Sequence, residues 1–313
     1  MNHQLLLPTA IMWSLNNWDL FSRSVGLMML KSKSDNILKE TTRNHFLGTG
    51  SASPSRHRSN SAILLRFNFL AQETSLLLDA GESCVSQLFY SCQGDRNKMK
   101  KILLSLSIVW ISHHHADHHC GLSQLLEEML RCNRSNKLLV IAPSTVILYH
   151  QYIACVGGFD HIVEFIPIEL TLASSQHEFS PTNQLIVSST NHIVNQFQSI
   201  RVHHCRDSFG LMFTLSSFEK FVYSGDCRPS KQLVSLGMNC HVLIHEATFE
   251  DDRISDAQCK RHSTISEAIQ IGMEMKAKHT ILTHLSQRYP RTPSIDQNSN
   301  VTIAHDFFQV LVF

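Results

Sequence analysis

Residues 111–121 read ISHHHADHHCG. Histidine fills five of these eleven places, and Asp117 stands among them. The preceding run, IVWIS (108–112), is apolar and rich in β-formers, so it reads as a strand that delivers the histidines at its C-terminal end. Imidazole nitrogen and carboxylate oxygen together suit a borderline cation, Zn²⁺ first, with Mn²⁺ or Fe²⁺ as alternatives. In an extended loop alternate residues point the same way, so His113 and His115 can grip one ion. Asp117 and His118 then face a second position. Two metals about 3.5–4 Å apart activate a bridging water and neutralise a developing oxyanion. A solvated histidine-rich loop explains H-x-H alone, but not the Asp-His at a fixed offset.

The rest of the chain narrows the reading. It has 313 residues, 43% of them hydrophobic, enough for one large layered domain with a sizeable core. The net charge is +1, so no global positive field marks a nucleic-acid binder, and a polyanionic partner must be held by local patches. Histidine occurs 20 times; scattered examples such as His3, His150 and His177 read as surface drift, while the clusters do not. Nine cysteines form no C-x-x-C pair, which fits a reducing compartment and gives no structural zinc knuckle. The apolar stretch LLLPTAIMW (5–13) is too short to span a bilayer, so no membrane association is expected. Residues 1–44 read as a poorly ordered leader or the remnant of a connecting segment, weakly like a transit peptide, with the main domain over 45–313.

From Phe46 the pattern becomes regular. Strands are expected at 61–70, 75–81, 108–112, 138–143, 199–205, 209–215, 220–226, 240–248 and 279–286. Helices are expected near 82–92 and at 121–132, 145–157 and 263–276. The stretch 157–200 is polar and carries no assignable element. Strands dominate both halves, so an α/β layered sandwich with helices outside is expected rather than a doubly wound sheet. Several strands end in a histidine or aspartate: His204 after SIRVH, Asp226 after FVYSG and His284 within ILTHLS. Strand ends along one sheet edge are where sites assemble.

HHHADHHCG resembles the H-x-H-x-D-H signature of the metallo-β-lactamase fold, an αββα sandwich of two mixed sheets packed face to face. Within that superfamily the chain resembles tRNase Z, the endonuclease that matures the 3′ end of tRNA. FLGTGSASPS (46–55), LLLDAGE (76–82), VHHC (202–205), YSGDCRPS (223–230), LIHEATFEDD (243–252), HST (262–264) and LTHLSQRYP (282–290) follow in family order. HEAT, HST and the SQRY segment are not shared across the superfamily, so their joint presence is more specific than the metal motif.

The resemblance implies two zinc ions. His113, His115 and His204 would hold the first, Asp117, His118 and His284 the second, and Asp226 would bridge them. His114 and His119 occupy variable positions and are expected to support the site or face solvent. A metal-activated water would attack the phosphorus of precursor tRNA, releasing the 3′ trailer with a 5′-phosphate and leaving a 3′-hydroxyl on the tRNA. Asp117 would orient that water or take its proton. His262, oriented by Glu246, would protonate the leaving oxygen. In PSRHRS (54–59), Arg56 and Arg58 resemble the family loop that senses nucleotides beyond the discriminator base, with Arg56 for its lysine and Ser59 for its asparagine. Ser263, Thr264 and Arg288 are expected to hold phosphates.

The chain also departs from the family pattern. Ser83-Cys84 follow Glu82 where glycine and threonine are usual, and Ser208 precedes Phe209-Gly210. A flexible Gly/Pro-rich basic arm is not evident, and the chain resembles the C-terminal catalytic half of the long form. Weak tRNA binding and a monomeric state are therefore expected, with a homodimer as the alternative. Nuclear and mitochondrial locations both suit the activity. Two other readings stay open: a hydrolase of a small phosphodiester or (thio)ester, and a degenerate non-catalytic half, whose expected mark is lost ligands.

Overall fold

The computed structural model describes residues 27–30, 41–69, 72–173, 180–289, 293, 295 and 300–312. Two mixed sheets carry the fold. The larger has β1 (Leu27–Leu30), β2 (Thr41–Gly48), β3 (Ala62–Phe69), β4 (Gln72–Leu78), β5 (Leu106–Trp110), β6 (Leu138–Ala142), β7 (Val163–Pro167) and β14 (Gln309–Val312). Its strand order is β1-β14-β2-β3-β4-β5-β6-β7. The smaller has β8 (Val194–Arg201), β9 (Phe209–Leu215), β10 (Lys220–Tyr223), β11 (Val242–Glu246), β12 (His279–Thr283) and β13 (Val301–Ile303), in the order β13-β12-β11-β10-β9-β8.

Alternation along the strands turns one face of each sheet inward. Phe46, Phe67 and Trp110 from the larger sheet meet Phe197, Phe213 and Phe221 from the smaller one. The rings of Phe213 and Phe221 stack at 5.1 Å, and Phe67 meets Phe213 edge-on at 6.2 Å. Burying each such side chain contributes roughly 1.5–3 kcal/mol. Helices cover the outer faces: α1 (Cys84–Ser91), α2 (Arg96–Ser105), α3 (Ala116–His119), α4 (Leu122–Arg131), α5 (Ser144–Gly157), α6 (Pro181–Ser189), α7 (Lys231–Gly237), α8 (Ile254–Lys260) and α9 (Ile265–Glu274). Leu122, Leu125, Leu126 and Met129 of α4 pack on Val109 and Ile111 beneath them. Ile271 of α9 packs on Leu243.

Three expectations are corrected. The boundary placed at residue 44 falls inside β2, and Leu27–Leu30 pairs in parallel with β14, so part of the expected leader belongs to the sheet. The stretch 157–200 contains β7, α6 and most of β8. Its elements escape the periodicity because β8 (VNQFQSIR) carries polar residues on its second face and α6 buries only Asn183 and Ile186. Helix α2 was not expected either. Its cations Arg96, Lys98, Lys100 and Lys101 mask the buried stripe of Met99, Ile102 and Leu103. Asp95 starts it by accepting from the amides of Asn97 and Lys98.

Candidate metal centre at the sandwich edge

The C-terminal ends of β5, β10, β11 and β12 converge on one edge of the sandwich, and each delivers a polar side chain there. β5 runs into His113–His119, β10 into Asp226, and β12 into His284; β11 ends at Glu246. The β8–β9 turn adds His204. The backbone helps. His284 lies in the left-handed region at φ 59°, which breaks the strand alternation. Gly225 precedes Asp226 at φ 56°, and a Cβ there would sit 2.5 Å from the Phe209 carbonyl oxygen, so only glycine passes.

Two groups of ligand atoms result. Nε2 of His113 lies 3.0 Å from Nδ1 of His115, which lies 3.2 Å from Nε2 of His204. Nε2 of His118 lies 3.2 Å from Nε2 of His284, and each is 3.5 Å from Oδ2 of Asp117. Asp226 stands between the groups. Its Oδ2 is 3.6 Å from His113, 3.8 Å from His204 and 3.3 Å from His118, and its Oδ1 is 3.4 Å from His284. All seven residues expected to ligate metal are thus brought together.

The remaining ring nitrogens are held from behind. Asp79 takes Nδ1 of His118 at 2.8 Å, the Arg261 carbonyl takes Nδ1 of His204 at 3.0 Å, Ser112 Oγ meets Nδ1 of His113 at 2.9 Å, and Thr248 Oγ1 meets Nδ1 of His284 at 3.0 Å. Such partners fix the tautomer and leave Nε2 free to face a cation. His115 is the exception and presents Nδ1. Asp79 is itself fixed by the Ser112 amide, the Ser112 hydroxyl and the Tyr223 hydroxyl. The charge ending the apolar run LLLDAG is the signal for Asp79, to which the motif alone gives no role.

The donors fit a cation. Asp226 Oδ1 is buried without a hydrogen-bond donor. Burial works against charge on Asp226, yet His284, His118 and His113 hold its carboxyl well below the usual range. Burial likewise opposes charge on His118, but Asp226, Asp117 and Asp79 hold that imidazole well above its ordinary value. A cation bound there would balance these buried carboxylates. The nitrogen-and-carboxylate set, with no sulfur, suits zinc.

Beside Asp226 lies a dyad. Nδ1 of His262 is 2.8 Å from Oε1 of Glu246 and 3.9 Å from Oδ2 of Asp226. Glu246 is 1% exposed and accepts from the Cys227, Thr248 and Ser263 amides and the Thr248 hydroxyl. Burial opposes protonation of His262, but Glu246 outweighs it and lifts the pKa to about 9. These groups open on a cleft of about 360 Å³ lined by Ser53, His115, Asp117, Asp226, Thr248, Lys260, His262, His284 and Arg288 among others. The Ala52 amide donates to Asp117 Oδ2 at 2.7 Å from the cleft's other wall.

The expected substrate contacts divide. Arg288 lines the cleft, and its guanidinium lies 5.8 Å from the Phe249 ring centroid. Lys260, which sequence reasoning missed, lines the cleft and lies 5.8 Å from the same ring. Arg56 is exposed on the 54–59 turn. Arg58 is a correction: it is buried, and its guanidinium donates to Thr49 Oγ1 and the Ala304 carbonyl rather than facing the cleft. Ser263 and Thr264 are also corrected. Both are buried; the Ser263 hydroxyl donates to the Cys227 carbonyl, and the Thr264 hydroxyl caps α9 in a capping box with Glu267.

Two mixed sheets, outer helices and a histidine-aspartate centre at one edge define a metallo-β-lactamase-fold protein. The family model described as anti-Pycsar protein Apyc1 matches residues 43–308, and the chain belongs to that family. The resemblance read from the motifs is borne out by its relatives. Zinc phosphodiesterase ELAC protein 2 of Macaca fascicularis is 40% identical over 275 residues, 85% of this chain and 32% of that protein. The mitochondrial ribonuclease Z of Drosophila melanogaster is 37% identical over 277 residues, 85% of this chain and 34% of that protein. A long-form RNase Z from yeast is similar in structure, with a TM-score of 0.77 and 27% identity, covering 86% of this chain and 41% of that one. The chain spans about a third of the length of the curated relatives it matches. Among the described residues no helix is long and apolar enough to cross a membrane.

Proposed function

We propose that this chain is a zinc-dependent endoribonuclease that removes the 3′ trailer from precursor tRNA. The observation that carries the reading is the juxtaposition of the Asp226-centred ligand groups with the His262–Glu246 dyad in one cleft. His113, His115 and His204 would hold one zinc ion and Asp117, His118 and His284 a second, with Asp226 shared. Zinc held there would lower the pKa of a water to about 7 and neutralise charge on a phosphodiester oxygen.

The chain's own groups supply the rest. Asp117, fixed by the Ala52 amide, orients the attacking water and accepts its proton. The Nδ1 of His262 is engaged by Glu246, which leaves Nε2 to protonate the leaving 3′-oxygen. Protonation of His262 at neutral pH follows from the Glu246 contact, so the acid is loaded before substrate arrives. Arg288 and Lys260, both packed against the buried Phe249 ring, offer cations to phosphates flanking the scissile bond. Arg56 on the neighbouring turn reaches nucleotides beyond the discriminator. The mitochondrial relative supports action in mitochondria, with the nucleus as a second location, and the chain acts as a monomer.

The test is cleavage of a 3′-extended precursor tRNA by zinc-loaded protein, with Asp117→Ala beside it. Cleavage after the discriminator base, lost in Asp117→Ala, supports the reading. Hydrolysis of a small phosphodiester without tRNA cleavage refutes the substrate and keeps the metal chemistry.

A further inference from the structure

The histidine loop has an outer face that the proposed reaction does not use. There His114 Nδ1 contacts Oδ1 of Asp207 directly, and Sγ of Cys205 lies 3.6 Å from His114 Nδ1 and 3.2 Å from Asp207 Oδ1. One nitrogen of His115 and one of His114 fall within 4.8 Å of each other and of Cys205 Sγ. A tetrahedral zinc ion with bonds of about 2.0–2.3 Å places its ligand atoms roughly 3.3–3.7 Å apart. The two Cys205 separations approach that spacing, and the His114–Asp207 hydrogen bond would open to admit the ion. The donors are also held in place: Thr145 Oγ1 donates to Asp207 Oδ2 at 2.5 Å, and Ser208 Oγ lies 2.9 Å from Cys205 Sγ. The His114 side chain is 46% exposed, so a cation can reach it from solvent.

We propose that His114, His115 and Cys205, with Asp207 beside them, form an auxiliary site for a thiophilic divalent cation, Zn²⁺ or Cd²⁺, next to the Asp226 centre. Nitrogen, sulfur and carboxylate oxygen in one cluster select such ions over Mg²⁺ or Ca²⁺. Binding replaces the thiol proton of Cys205, which leaves to solvent as the thiolate–metal bond forms. His115 belongs to both donor sets, so a cation outside competes for a ring that the inner centre uses. Excess cation is therefore inhibitory. The inference rests on the reading of His115 as a ligand of the inner centre and is independent of the RNA substrate.

The experiment is a Cd²⁺ titration of the zinc-loaded full chain, followed by thiolate-to-cadmium charge-transfer absorption. The Asp226 centre holds no sulfur, so cadmium exchanged into it is silent in this band. One saturating equivalent is expected in the unaltered protein, and Cys205→Ser loses it. His114→Ala raises the half-saturating concentration at least about tenfold, the lower bound for losing even an indirect partner of a metal. Both proteins are freed of loosely held zinc before the titration, and retention of the zinc of the Asp226 centre by His114→Ala, measured beforehand, shows that centre intact. The same half-saturation in His114→Ala, or a band surviving in Cys205→Ser, overturns the site and assigns cadmium to exposed thiols such as Cys120, Cys155 and Cys259. Absence of tRNA cleavage leaves the titration unaffected, so the two readings fail separately.

Discussion

His113, His115 and His118 turn toward Asp226, whereas His114 and His119, their immediate neighbours, turn toward α5 and the 203–208 turn. The inner rings face carboxylates. The outer pair splits: His114 meets Asp207, and His119 meets another histidine. The Nε2 of His119 donates to the His114 carbonyl at 2.9 Å, so its Nδ1 accepts from Nε2 of His150 at 3.1 Å, and Nδ1 of His150 accepts from Ser123 Oγ at 3.1 Å. That chain works only with neutral rings. Burial, helped by the neighbouring His119, pushes the pKa of His150 down to about 4. Among the carboxylates His118 goes the opposite way. One side chain type within seven residues thus stands as candidate ligand, anion partner or neutral core group, and the surroundings choose.

The contrast can be broken hardest from the inside. Asp226→Ala removes the group common to both ligand sets, and tRNA cleavage should fall on the order of 10⁵-fold or more, because residues acting as one unit fail together. Zinc content by elemental analysis should fall with it; full zinc content would sink the assignment. His262→Ala should reduce the cleavage rate about 10²–10⁴-fold with little change in KM or zinc content. A raised pKa keeps the acid form below it, so the rate carried by His262 should persist at neutral pH and decline as pH rises through about 9. Asp79→Asn acts one contact further out, through Nδ1 of His118, and should weaken zinc binding about 10–100-fold in a chelator competition.

The buried His119–His150 pair against α5 should respond to pH rather than to metal. The folded pKa of His150 lies below the model-peptide value of 6.5, so the unfolded chain takes up the proton first. Its contribution is complete above about 6.5 and is lost as pH falls through about 4, on the order of 3 kcal/mol. Thermal melts of His150→Gln should flatten over that window, and an unchanged slope would break the comparison. His119→Gln should be the mildest change, with zinc content within about twofold of the parent; a clear loss of zinc would mean that the outer row supports the inner one.

Much of the site was legible because its ligands end apolar strands. IVWIS before His113, FVYSG before Asp226 and ILT before His284 each set a charged or imidazole side chain where burial would be costly without a partner. The dyad was legible only through HEAT and HST, since no spacing relates Glu246 to His262. Arg58, Ser263 and Thr264 misled because residue type says nothing about direction: a cation in a turn and two hydroxyls near a helix start serve substrate and scaffold equally well. α6 and β8 were hidden because each buries few apolar positions, so neither period rises above the polar background.

The sequence alone determined the strand-ended pattern, the imidazole and carboxylate donor types gathered at those ends and the alternation that turns His113 and His115 the same way, since these depend on residue type and local geometry. Only the tertiary structure decided which ring nitrogen each histidine presents, that Arg58 lies inward, that Lys260 and Arg288 flank Phe249, and that Cys205 meets His114. Those facts join residues far apart in the chain, and their free energies arise only when burial removes water and leaves each polar group the partners the fold supplies.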